Sequence, residues 1–533
     1  MNQALHIFSK DTRHLRWEIL VSLALLAAYL WAAPHEWTQS FVRLGATASG
    51  SVAMSLAGEA LSVLIPVSWW LMITRAVHAE NLVGDQQWWV TKPYDWASLL
   101  GAKLLFLAAF VFAPIFLIQC LLLARAGFHP NAVLPALGVH LAVLGLVIVL
   151  PLLAIATITS TIARSTLTAL GVLLAIVAAV AGLVNYAVEA GDFAVSGTGW
   201  LFEAVFVAGI GGAIVLQYAR RLQWRARLIM LGTVALLIVL ALLPTTSSMV
   251  RRVYRPTSGP LQFALDTGNK SYAQGLVRNM VAISVPIKLS GIAPGTGVVI
   301  EGAQTTLEAP DGQRSTTPWL SQYAGVYLPG DDLGGTGNLN VRTPRWFQAR
   351  EAGKPLTLHV RFAVAELRAG QPVQIAMPAH EFEVPGFAIC TPQEISVPGQ
   401  FSTLSCRSAV EDPTKTLIQA EWSDAPCSDP AGSGATVQGG GWSGSLFPGT
   451  GLELNPVVQV RLDLSNAYKM INGVQAPRPR FLCPGRPITF TPYRVVRRGE
   501  YDATFANFVM PKQGAQQPGG GYGGYSVGVH VGD

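Results

Sequence analysis

Residues 134–162 read LPALGVHLAVLGLVIVLPLLAIATITSTI, 29 positions without a single Asp, Glu, Lys or Arg. An α-helix rises about 1.5 Å per residue, so about 20 apolar residues cross a hydrocarbon layer roughly 30 Å thick. Six further stretches are long and predominantly apolar, at 17–33, 52–73, 99–124, 165–188, 200–218 and 226–243. After Pro244 the pattern changes to short alternating or β-branched runs separated by Gly and Pro. The expected fold is a polytopic α-helical membrane domain of about seven transmembrane helices, followed by an all-β extracytoplasmic domain of β-sandwich type.

Charge sets the expected orientation, because Lys and Arg accumulate in short cytoplasmic loops near span ends. Lys10, Arg13 and Arg16 precede the first span. Arg75 and Lys92 lie between the second and third, Arg164 between the fourth and fifth, and Arg220, Arg221, Arg225 and Arg227 around the sixth-to-seventh connection. The alternate loops carry only Arg43 and Arg125, so ten positives oppose two. This places the N-terminus in the cytoplasm and the C-terminal domain in the periplasm or outside the cell, with the chain in a bacterial inner membrane. Arg251, Arg252 and Arg255 run against the trend. The long polar lead, and Leu30 and Trp31 where a signal peptidase needs small residues, argue for a retained anchor.

Cysteine usage agrees with that orientation. Cys120 lies in an apolar span, whereas Cys390, Cys406, Cys427 and Cys483 all lie in the tail. An even number in an oxidising compartment points to two disulfides, with three pairings open. No two have the close spacing of a structural zinc site.

The formal charge of +6 does not indicate nucleic-acid binding, since much of the excess is loop charge that sets topology and the tail has no basic run interleaved with aromatics. Within the spans, Glu59, His140, Asn185 and Glu203 are the polar candidates, and Lys103 is placed to snorkel from the inner end of the third span. They sit mostly near span ends, which favours interfacial anchoring over an ion pathway.

No catalytic engine is legible. Thr267-Gly268-Asn269-Lys270-Ser271 imitates a phosphate loop but lacks its spacing, and Gly441-Trp442-Ser443-Gly444-Ser445 lacks the second glycine of a nucleophile elbow. His380-Glu381 lacks a second histidine. The chain reads as a non-enzyme with no cofactor or metal of its own.

The loop after the second span is the most informative one. It contains Glu80, Gly84, Asp85, Trp88, Trp89 and Pro93, and leads through Trp96 to Ala102-Lys103. A short interfacial helix over 76–90 is expected, with Trp88, Trp89 and Trp96 at headgroup level. The order glutamate, glycine, proline, then alanine-lysine resembles the permease subunits of type-2 ABC exporters. The 7–16 stretch, Ile-Phe-Ser-Lys-Asp-Thr-Arg-His-Leu-Arg, is similar to that family's elbow helix. The resemblance covers residues 1–225 at most. It implies that Glu80–Pro93 is a coupling segment touching an ATP-hydrolysing subunit supplied in trans, and that the chain works as a homodimer or with a paired permease. The chain departs from the family in having Gly84-Asp85 in place of a glycine-threonine pair, a 190–199 connection too short for a re-entrant hairpin, and an added span and outer domain. A membrane-anchored sensor or assembly scaffold is the alternative.

The expected organisation is an elbow helix over 1–16, transmembrane domain over 17–243, linker over 244–260, β-module over 261–385, a second, disulfide-containing β-module over 386–512, and a Gly-rich flexible tail over 513–533. Strands are expected at 281–289, 297–308, 356–365, 373–376, 417–422, 457–464 and 488–496, the first two as a hairpin.

Overall fold

The computed structural model describes the chain outside residues 1, 40–48, 80–94, 191–198, 243–246, 267–270, 278–279, 323–325, 328–335, 379, 386–387, 395–400, 410–415, 424–435, 444–453, 464–467, 472–473, 478–482 and 513–533. Its N-terminal half is helical: α1 (Asn2–His14), α2 (Arg16–Gln39), α3 (Ser49–His78), α4 (Trp96–Leu107), α5 (Ala113–Arg125), α6 (Pro130–Leu144), α7 (Leu150–Ile158), α8 (Ile162–Ala190), α9 (Gly199–Arg220) and α10 (Gln223–Leu242). Among the described residues six stretches are long and apolar enough to cross a membrane: Arg16–His35, Ala60–His78, Trp96–Arg125, Pro130–Ile158, Leu201–Arg220 and Gln223–Leu240. The remaining expected span is α8, whose apolar stretch among the described residues runs Ile162–Ala175. Leu117, Leu167 and Leu231 are more than half exposed, as suits side chains meeting lipid rather than water.

Two of these stretches are each a pair of α-helices joined by a wider π turn, Ala108–Phe112 and Gly145–Val149. Proline causes both. Pro114 and Pro151 lack an N–H and would press on the carbonyl four residues earlier, at Phe110 and Val147, inside the two turns. The turns touch, because a methyl added to Gly145 would come within 2.7 Å of the Phe112 ring.

The bundle has two distinct ends. At one, α1 lies on α4 and its continuation, with Phe8 stacked on Phe110 at 5.9 Å. Here His78 Nε2 lies 3.1 Å from the carbonyl of Ala156, and Gln223 and Arg227 both donate to the carbonyl of Ile158. At the other end the β region sits on the helices. The Arg407 guanidinium lies 5.8 Å over the Trp37 ring, and Gln119 donates to the carbonyl of Leu454 at 3.3 Å. Leu454 and Val457 are buried in the same cluster as the bundle's apolar side chains. Gly127, at positive φ, lies so close to Ile389 that a side chain there would collide with it.

All seven expected strands form. The largest sheet is built on Pro487–Val509, which pairs with Pro355–Ala369 on one side and with Thr416–Ser423 on the other. Pro355–Ala369 in turn pairs with Thr296–Glu308. A second sheet centres on Met280–Ser290, paired with Thr336–Pro344, Gln262–Leu265 and Tyr272–Val277. Alternate residues of the two sheets meet in one core: Ile283, Val285 and Ile287 from the second, and Leu358, Val360, Phe362 and Phe505 from the first. Phe263 stacks on Phe362 at 4.2 Å within it.

Three expectations need correction here. The 281–289 and 297–308 strands do not form a hairpin; they belong to different sheets. Gly291 (φ +81) and Gly295 (φ +71) turn the chain from one sheet to the other, and a Cβ at Gly291 would fall 2.0 Å from the carbonyl oxygen of Pro260. The boundary near Pro385 does not separate the sheets, since Pro487–Val509 pairs with strands from both sides of it. The 244–260 segment carries helix α11 (Ser247–Val253) and a short strand, Arg255–Pro256, paired in parallel with Gly499 and Glu500.

A third sheet, Phe382–Val384, Ala388–Glu394, Phe401–Ala409 and Val457–Asp463, is the part that touches the bundle. Cys390 and Cys406 stand directly opposite each other in it and form a disulfide. Cys483 is also disulfide-bonded, Cys120 is free, and Cys427 lies outside the described residues.

The topology generates a test. A fragment ending at Pro385 lacks the central strand of its own sheet and should show no cooperative thermal transition. A fragment spanning 247–512 should show one; circular dichroism of the two decides it.

Candidate functional site

The expected coupling segment splits between what is described and what is not. Glu80, Gly84, Asp85, Trp88, Trp89 and Pro93 lie outside the described residues. The helices that carry its two ends are described: α3 closes with Arg75 and His78, and α4 opens with a half-exposed Trp96. Beside α4 stands α1, and the contact between them is ionic. Lys103 Nζ lies 2.6 Å from Asp11 Oδ2, with both side chains 2 % exposed.

Lys103 therefore does not snorkel to an interface. It is buried within α4, and among the described residues its ammonium is paired with the Asp11 carboxylate. The signal for Asp11 was present in the sequence, because Ile7, Asp11 and Leu15 recur every fourth residue and so share one face of α1. All three are buried, and a lone acid on an otherwise apolar face needs a cation opposite it. A second ion pair, Arg75 with Glu18, ties α3 to α2 nearby.

Of the four intramembrane polar candidates, two have described side chains. His140 is half-buried on α6 and Glu203 is exposed on α9. Glu59 and Asn185 lie within α3 and α8, but their side chains are outside the described residues. No group of three or more His, Cys, Asp or Glu is placed to hold a metal ion among the described residues.

Among the described residues, the densest polar network lies around α11, at the start of the β region. Helix α11 follows α10 after four residues and packs on the outer face of the largest sheet, with Val250 and Tyr254 against Trp319 and Ala363. Arg361, half-buried, organises the contact. Its Nε donates to Glu500 at 2.7 Å, and one terminal nitrogen donates to Ser247 Oγ at 2.7 Å and to Gln304 at 3.0 Å. Its guanidinium also lies 5.5 Å over the Trp319 ring. The Tyr254 hydroxyl donates to Glu301 at 2.6 Å, and Arg498 donates to the same carboxylate oxygen at 3.0 Å. Burial, reinforced by Glu301, pushes the Tyr254 hydroxyl well above the usual tyrosine range. Arg251 adds a longer contact to Glu500, at 3.5 Å. The sequence assigned this segment to a linker, and the arginines in it were read only as loop charge. The groups that hold Arg251 and Tyr254, Glu500 and Glu301, come from strands distant in sequence.

Further along the same strand, Tyr501 donates to Glu366 at 2.5 Å, and Arg497 donates to that same carboxylate oxygen at 2.6 Å. Burial first, and then Glu366, push the Tyr501 hydroxyl up to about 12.

The chain matches no family model and no curated protein.

Two predictions follow from these groups. Asp11→Asn or Lys103→Met leaves one buried charge alone and should cost about 3–5 kcal/mol. The double variant Asp11→Leu/Lys103→Met should recover most of the loss, as read by thermal denaturation in detergent. The second concerns pH. An unfolded tyrosine titrates near about 10, so the folded state favours protonated Tyr501 between that value and about 12. That contribution is complete below the unfolded value and lost as pH rises through the folded one. Tyr501→Phe should therefore flatten the alkaline decline in stability between those limits.

Proposed function

We propose that this chain is the membrane-spanning subunit of an ATP-driven exporter, working as a homodimer or with a paired permease and with a separate ATPase. In this reading the N-terminus and the Glu80–Pro93 segment face the cytoplasm of a bacterium. The β region, a sandwich with an attached smaller sheet, faces the periplasm or exterior and handles substrate or partner. The single observation that carries the proposal is the clamp of α1 on α4 through Asp11 and Lys103. It anchors an amphipathic leader beside the mouth of the segment that resembles an exporter's coupling element. A push on that segment would move α3 and α4 with α1 as one block.

The two-ended bundle supports the same reading. A chain that starts at the α1 end and finishes under the β region traverses the bundle an odd number of times. The six qualifying stretches and α8 make seven passes. Exposed apolar side chains along these helices offer surface both to lipid and to a second copy.

A sensor or assembly scaffold is the second reading, and the α11 network favours it specifically. A scaffold needs the β region's position reported to a span, and Arg361, Glu500 and Tyr254 fix α11 to the sheet for that purpose.

Mild-detergent purification of the protein at native abundance, with mass spectrometry of what accompanies it, separates the two. The exporter reading expects a stoichiometric phosphate-loop ATPase that is lost when Glu80 and Gly84 are replaced. Recovery of outer-side proteins with no ATPase assigns the chain to the scaffold class.

A further inference from the structure

Two arginine-rich stretches far apart in sequence lie side by side in the fold. One is 251–255, Arg-Arg-Val-Tyr-Arg, at the end of α11; the other is 494–498, Arg-Val-Val-Arg-Arg. The parallel pairing of Arg255 with Gly499 brings them together. Between them is an open cleft of about 270 Å³ lined by Val253, Val495, Val496, Arg497 and Arg498. Val496 is left out of the register between Val495 and Arg497, and this bulge leaves its side chain 52 % exposed.

Carboxylates balance only some of this charge. Glu366 takes Arg497, Glu301 takes Arg498, and Glu500 takes Arg251. Arg252, Arg255, Arg368 and Arg494 are exposed and have no carboxylate partner among the described residues. Arg368 stands directly opposite Arg494 across the two strands. Alternate residues of a strand face opposite ways, so this pair lies on the side of the sheet shared with Val360 and Phe362, away from α11, and the arginines free to meet a ligand on the cleft side are Arg252 and Arg255. Guanidinium groups suit phosphate in particular, since their planar donors match its oxygens in pairs.

Two tethers hold this cleft near the membrane. Helix α10 ends at Leu242 and α11 begins at Ser247, so even a fully extended connection reaches less than about 18 Å. The strand that carries Arg494 begins in the third sheet's core, through Ile488 and Phe490, and that sheet rests on the end of the bundle. Valines and arginines lining one open cleft are what a surface at headgroup level requires.

We propose that this cleft binds the phosphate headgroups of anionic lipids in the leaflet where the last span ends. The arginines at 251, 252 and 255, which oppose the charge bias of the loops, then have a function of their own.

The test uses the full-length protein in nanodiscs of phosphatidylcholine alone or with phosphatidylglycerol. Lipid retained through mild delipidation is read by mass spectrometry, and exchange of the 494–498 amides by hydrogen–deuterium exchange. The wild type should retain phosphatidylglycerol selectively and protect those amides. Arg252→Gln/Arg255→Gln should weaken retention about five-fold per arginine removed. Should that variant fail to fold, Arg255→Gln alone leaves α11 intact and should still weaken it. Equal retention by wild type and a folded variant overturns the proposal. So does equal protection by inorganic phosphate in phosphatidylcholine discs, which would make this a site for free phosphate.

Discussion

Hydrocarbon offers backbone groups no hydrogen-bond partners, and much of the first half of this molecule answers that constraint. The spans are helical because only a helix pairs its own carbonyls and amides along its length. Where Pro114 and Pro151 interrupt the pairing, the turns widen and lean on each other rather than open to lipid. The same shortage explains the pairing of Asp11 with Lys103. Neither charge would be tolerated in that apolar setting alone, and together they fix the angle at which the leader helix meets the bundle.

Once the chain leaves the bundle the problem is reversed. A sheet satisfies its backbone at once but exposes two faces. One face of the largest sheet is covered by the second sheet and is mainly apolar, built on Val360, Phe362 and Phe505. The other is covered in part by α11, and there the contact is polar, built on Arg361, Glu301 and Glu500. A helix of seven residues contributes too little apolar area to hold itself down. The hydrogen bond that Ser247 accepts from Arg361, the Arg251–Glu500 ion pair and the bond that Tyr254 donates to Glu301 supply what Val250 alone cannot.

This division explains what could be read from the sequence. The strand at 281–289 was legible because its alternate side chains all point into one core. The strand at 487–509 was legible only as far as Val496. Beyond it, Arg497, Arg498, Glu500 and Asp502 look like a solvated loop until the residues that pair them are known. Strand partners were not legible either, since pairing depends on which turn sends the chain to which sheet. Gly291 and Gly295 turn it away from the hairpin that their spacing suggests. The helices were the easiest elements to place, and Lys103 among them the easiest to misread. Its length permits snorkelling, and only the position of Asp11 on the facing helix removes the need for it.

The β region is held to the bundle at two separate places. The third sheet rests on Trp37, Gln119 and Gly127, which belong to the first and third passes. Helix α11 is tied to the largest sheet and continues from α10. The two sheets are themselves joined, because Ile488 and Phe490 of the long central strand lie in the third sheet's core. A displacement of α10 relative to α2 and α5 therefore cannot be absorbed in the β region by swinging on one hinge. It must either slide the third sheet over Trp37 or strain the α11 network; among the described residues the first shifts one cation–π contact, one hydrogen bond and the non-directional packing of Leu454 and Val457, while the second breaks several charge-assisted hydrogen bonds. Sliding at Trp37 and Gln119 is the softer mode. Relative motion of the spans would then emerge as movement of the third sheet, with the largest sheet following the last span.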